Sequence, residues 1–86
     1  MNAEKIKVLF QELDTLVAKK NNIKYIGENE LRANDQYWIK KVELVAAINK
    51  DCDYPYDTVE KVNHYLSAAA CSLIVELARH KYCNGN

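Results

Sequence analysis

Apolar side chains recur every three or four residues in the first segment of the chain, which places them on one face of an α-helix. These side chains are Ile6, Leu9, Phe10, Leu13, Leu16 and Val17. Most of the intervening positions are polar. The pattern predicts an amphipathic helix over about residues 3–20 with one buried face.

A second helical pattern begins at about residue 30 or, if Asp35 caps the helix, at Gln36, and it continues to about residue 49. Its apolar positions cover a wider arc than one neighbouring helix usually fills: Leu31, Tyr37, Trp38, Val42, Leu44, Val45 and Ile48. Residues 22–29 break the helical pattern. They predict a connector, with room for a short extra helix before the second one.

The third pattern predicts a long helix over about residues 58–82. Pro55 prevents the second helix from continuing, and Asp57 followed by Glu60 resembles a capping box. The expected core face consists of Val59, Val62, Leu66, Ala69, Ala70, Leu73 and Leu77. A second stripe of small and apolar groups lies roughly opposite, at His64, Ala68, Cys71, Val75 and Tyr82. A helix that is apolar on two sides requires cover on both.

Two arrangements would cover the second stripe of the third helix. In a monomer, this helix would lie between the first helix and residues 23–33. In a homodimer, it would pair with its own copy across a two-fold axis. The dimer is the favoured arrangement, because small domains bury too little surface to be very stable alone. Its contact residues would be Ala68, Cys71, Val75 and Tyr82.

The composition fits one helical domain. The chain has 86 residues, which is enough for a single hydrophobic core, and only two Gly and one Pro. Few helix-breaking residues are typical of helices joined by short connections. The expected fold is therefore all-α: one domain over residues 1–86, built as a compact bundle of three main helices.

Charge and cysteine content indicate the cellular compartment. Twelve basic and twelve acidic residues balance, so the total charge requires no nucleic acid or anionic membrane as partner. The three cysteines form no CxxC pair and are interpreted as free thiols of a reducing compartment. The first ten residues lack the features of a signal peptide, and no apolar run is long enough to span a membrane. These features predict a soluble cytoplasmic protein.

The sequence shows no catalytic or cofactor-binding pattern. Glu76, His80 and Cys83 share a helical face at a spacing that zinc ligands use, but the same spacing is common for surface pairs near a helix end. No phosphate-binding glycine loop is present. We therefore predict a protein that is not an enzyme, with no catalytic residue, no metal ligand and no cofactor.

The loop between the second and third helices is the strongest candidate for partner binding. Asp53, Tyr54 and Tyr56 lie in a stretch rich in carboxylates. Tyrosine is frequent in binding hot spots, and acidic neighbours would attract a basic partner segment. Alternatively, the tyrosines fold back onto the third helix as a hydrophobic staple. We predict that these three residues contact another protein.

Nucleic-acid binding is the alternative function. Lys19, Lys20, Lys40 and Lys41 could form a modest basic patch that contacts phosphates. Such lysines are more often a solvated helix face, and the third helix carries basic residues only near its ends.

Three short stretches resemble a known group of proteins. They are residues 1–5 (Met-Asn-Ala-Glu-Lys), residues 20–22 (Lys-Asn-Asn) and residues 37–41 (Tyr-Trp-Ile-Lys-Lys). With its length and composition, the chain resembles the small accessory proteins of large lytic bacteriophages, such as the lysis-inhibition proteins of T-even phages. The resemblance implies a cytoplasmic regulator that binds a cytoplasmic segment of a holin or antiholin and delays lysis. It involves no motif and assigns no functional residue.

Overall fold

The computed structural model describes residues 2–21 and 36–83, which are helical apart from short connections. The helices are α1 (Asn2–Asn21), α2 (Gln36–Asp51), α3 (Val59–Tyr65) and α4 (Ala68–Tyr82). No strand occurs within these ranges, so the all-α prediction is confirmed. The predicted connector at residues 22–29 and the extra helix before α2 lie outside the described residues.

Helix α2 occupies the centre of the fold and contacts each of the other three helices. Its wide apolar arc is covered in this way, since Val42, Leu44, Val45, Ala46 and Ile48 are all buried. The predicted face of α1 packs against it through Ile6, Leu9, Phe10 and Leu13. Each large apolar side chain buried here contributes about 1.5–3 kcal/mol. The core of this small domain therefore depends chiefly on the α1–α2 contact.

The prediction of one uninterrupted helix over residues 58–82 is wrong. The backbone leaves helical geometry at Leu66 and Ser67, where ψ is 135° and 164°. The Ser67 hydroxyl accepts a hydrogen bond from the Ala70 backbone N–H at 3.1 Å, and so caps the start of α4. The chain thus builds two helices, of 7 and 15 residues, in place of one.

The break changes which side of the chain faces the core. In a continuous helix, Val62 and Cys71 would lie about 180° apart, because nine residues advance the chain by two and a half turns. Here both are 0% exposed. The interruption therefore rotates α4 relative to α3, so that both side chains reach the same core.

The two faces of the last helix are consequently the reverse of the expected ones. Cys71, Val75 and Tyr82, from the predicted second stripe, are buried against the other helices. Leu73 and Leu77, from the predicted core face, are 57% and 62% exposed. A helical wheel that continues α3 through the break therefore places the buried residues of α4 outside and its exposed leucines inside.

The residue that caps the start of α3 also differs from the expected one. Thr58, and not Asp57, has the extended backbone of an N-cap, and its hydroxyl accepts from the Lys61 backbone N–H at 3.2 Å. Asp57 instead pairs with the Lys61 ammonium group at 3.2 Å. Residues 52–58, called the tyrosine loop below, are thus fixed where they enter α3.

Candidate protein-binding groove

The tyrosine loop begins with a turn that closes the end of α2. The Tyr54 backbone N–H donates to the Asn49 carbonyl at 2.7 Å, and the Asp53 N–H donates to the Lys50 carbonyl at 3.2 Å. This pair of bonds is the Schellman motif, with Asp53 in the left-handed conformation at φ 59°. The motif reverses the chain and leaves the side chain of Tyr54 58% exposed.

The two loop tyrosines have different environments. Tyr56 is half-buried and packs against the core, with its ring centroid 6.1 Å from that of Tyr65. Its carbonyl accepts from the side-chain amide of Asn49 at 3.1 Å, and Asn49 is itself buried. Tyr56 therefore holds the loop in place, whereas Tyr54 and the exposed Asp53 are available to a partner.

An open groove of about 400 Å³ separates the tyrosine loop from α4. Its lining is mostly apolar and consists of Ile48, Asn49, Cys52, Tyr54, Tyr56, Leu66, Ile74, Leu77, Ala78, Lys81 and Tyr82. Along α4 it extends from Ile74 to Tyr82, about 12 Å at 1.5 Å per residue. This length matches about two turns of a helical partner segment.

One end of the groove carries a small polar cluster. The Tyr82 hydroxyl donates to the Asp51 carboxylate, and the Cys52 Sγ lies 3.9 Å from the same hydroxyl. Burial, and after it the hydrogen bond to Asp51, raises the pKa of Tyr82 above the usual tyrosine value. The Lys81 Nζ lies 3.7 Å from the Cys52 Sγ. At neutral pH the Tyr82 phenol at this end therefore keeps its proton.

The residues predicted to mediate self-association occupy two kinds of position. Cys71, Val75 and Tyr82 lie in the core of the single chain, and burial raises the pKa of the Cys71 thiol. Ala68 is exposed in the first turn of α4. Within the single chain, these three side chains are already covered by the other helices.

Sequence reasoning placed Leu73 and Leu77 inside and thereby missed the exposed leucines of α4. The available signal was Ser67, which precedes three alanines and is a favourable N-cap residue. A helix restarted at Ser67 need not keep the phase of α3, so Leu73 and Leu77 need not share a face with Val62.

The lysines of the alternative prediction do not form one free basic surface. Lys40 pairs with Glu12 at 2.7 Å, and this hydrogen bond raises the pKa of Lys40. Lys41 is only 8% exposed and donates to the Ser72 hydroxyl at 2.6 Å. Lys19 is exposed near the end of α1, and the side chain of Lys20 lies outside the described part of the structure. Phosphate contacts would require Lys40 and Lys41 to leave these partners.

Within residues 2–21 and 36–83, no group of three His, Cys, Asp or Glu side chains is arranged to hold a metal ion. None of the helices in these ranges is long and apolar enough to cross a membrane. Comparisons with protein families, curated proteins and solved structures found no match to the chain. Function must therefore be argued from the groove.

Proposed function

We propose that the protein is a non-enzymatic binding module that holds an apolar segment of another protein in the groove. The observation that carries this proposal is the position of Tyr54 and Leu77, which are 58% and 62% exposed and both line the same cavity. Single exposed apolar residues are common on protein surfaces. Two of them lining an apolar cavity are typical of a docking site.

Burial of Tyr54 and Leu77 would supply part of the free energy of docking. Complete burial of a leucine or an aromatic side chain contributes about 1.5–3 kcal/mol relative to exposure. Tyr54 can also keep its hydroxyl at the rim, where it exchanges hydrogen bonds with water or with the partner. Because the Schellman turn and Tyr56 already order the loop, a partner would find Tyr54 largely preorganised.

The more specific role is that of a regulator acting by stoichiometric binding in the cytoplasm. The bacteriophage resemblance supports a protein that delays lysis by occupying a cytoplasmic segment of a holin or antiholin. Free thiols and balanced charge are compatible with this location.

Protein capture with a tyrosine variant and a control variant tests the proposed function. The tagged wild type, Tyr54→Ala and Ile39→Ala would each be incubated with lysate of the native host, and retained proteins identified by mass spectrometry. Ile39 is the control, because it is 54% exposed on α2 but does not line the groove. We expect one protein to be retained by wild type and Ile39→Ala and lost with Tyr54→Ala. Equal retention by all three would contradict the proposed site.

A further inference from the structure

The outer face of α4 carries a short row of residues at coiled-coil spacing. Leu73 and Leu77 are the exposed leucines of this helix, and Ala70 and His80 continue their row at alternating spacings of three and four residues. This is the a/d spacing by which one helix packs along another. The name seam refers below to these four residues.

Opposite charges border the seam on its two sides. Glu76 immediately precedes Leu77, and Lys81 immediately follows His80, so they occupy the g and e positions of the heptad pattern. Neither forms an ion pair within the described part of the chain. The Lys81 Nζ lies 3.7 Å from the Cys52 Sγ and would leave this contact to meet a glutamate of a second copy. Residues at these positions set the partner and the direction of paired helices.

The two directions of pairing place these charges differently. When two copies of α4 run parallel, Glu76 of each copy meets Lys81 of the other, which gives two symmetric ion pairs. When they run antiparallel around Leu73 and Leu77, Glu76 approaches its own copy. Like charges at such positions oppose pairing. The seam is therefore complementary to itself in the parallel direction.

We propose that the seam binds a second copy of this chain, with α4 of the two copies parallel across a two-fold axis. The small size of the domain gives such cover a physical reason, because domains of this length bury a limited share of their surface. This inference does not depend on the proposed function. Leu77 and Lys81 also line the groove, so a docked partner and a second copy compete for this side of α4.

Sedimentation equilibrium of the full chain over about 1–1000 µM tests the pairing. We expect the mass to rise from monomer to dimer with concentration, and Leu73→Asp to remain monomeric throughout. Leu73 is exposed and lies outside the groove lining, so this variant should keep its fold and its partner binding. Val8→Asp is the control, because Val8 is 49% exposed on α1. A monomer at all concentrations, or undiminished pairing of Leu73→Asp, would overturn the proposal.

A charge swap tests the parallel direction. Glu76→Lys and Lys81→Glu should each weaken dimerisation by about tenfold at low salt, because two ion pairs become two repulsive contacts. The double variant Glu76→Lys/Lys81→Glu should restore dimerisation to within about threefold of wild type. Failure of the double variant to recover would overturn the parallel arrangement. Tyr54→Ala should leave dimerisation unchanged, which separates this inference from the proposed function.

Discussion

Removal of the serine hydroxyl at the start of α4 should destabilise the protein, even though alanine is the better helix former. In Ser67→Ala, the Ala70 N–H loses the acceptor that lies 3.1 Å away. Loss of such a cap costs about 1 kcal/mol, within a range of about 0.5–2 kcal/mol. In a domain of this size, 1 kcal/mol lowers Tm by about 4–8 °C.

The sign of this effect distinguishes the broken helix from a continuous one. If residues 59–82 formed one helix, Ser67 would be an interior position, and alanine would stabilise it by a few tenths of a kcal/mol. The chain cannot simply restore the continuous helix, because Val62 and Cys71, both 0% exposed, would then point to opposite sides.

Thermal and urea unfolding, followed by far-UV circular dichroism, would measure the effect in a small series of variants. Ser67→Asp keeps a side-chain acceptor and should remain close to wild type, while Ser67→Gly should cost only a few tenths of a kcal/mol. A Ser67→Ala variant that is as stable as wild type, or more stable, would refute the assignment of Ser67 as the cap that divides α3 from α4.

Three further predictions follow from buried groups. A thiol-reactive disulfide reagent should modify Cys52 and Cys83 in the native protein but Cys71 only after unfolding, because Cys71 is fully buried; rapid native labelling of Cys71 would contradict its position. Tyr82 keeps its proton in the fold at a pH where an unfolded tyrosine loses it, since its pKa is raised. The contribution of Tyr82 to the free energy of unfolding should therefore be constant below about pH 10 and fall by up to about 1.4 kcal/mol per pH unit above it. Urea unfolding of wild type and Tyr82→Phe between about pH 9 and 11 would measure this, and equal pH slopes would refute it. Lys41→Met should change the free energy of unfolding by less than about 1 kcal/mol in either direction, because it removes a buried charge together with its hydrogen bond to Ser72 and its contact with the Tyr37 ring at 5.2 Å; a loss above about 2 kcal/mol in urea unfolding would contradict this.

The sequence was sufficient for the fold class and for the two helices whose apolar pattern is uninterrupted. Leu9 and Leu13 of α1, and Val42 and Val45 of α2, are buried as their spacing predicts. Local periodicity succeeds here because each helix keeps one phase from end to end. Local periodicity fails where the helical phase changes, as it does at Ser67, the residue that caps the start of α4.

The candidate site could be predicted only in part. The exposed Tyr54 beside Asp53 follows from loop composition, but the opposite wall of the groove depends on the rotation of α4. Leu77 is far from this loop in sequence, and tertiary packing brings it to the same cavity as Tyr54. The local pattern also could not predict that Tyr54 is exposed and Tyr56 half-buried, because the buried side-chain amide that holds Tyr56 belongs to Asn49 of α2.

The most direct test of the proposed groove is an amide chemical-shift map of the isotope-labelled protein, recorded by NMR as the captured partner is added. The account predicts that the largest changes occur at residues 52–56 of the tyrosine loop and residues 74–82 of α4, and that Tyr54→Ala lowers the affinity for the partner by about tenfold or more. Changes centred on the exposed side of α1 around Val8, with the loop unaffected, would contradict it.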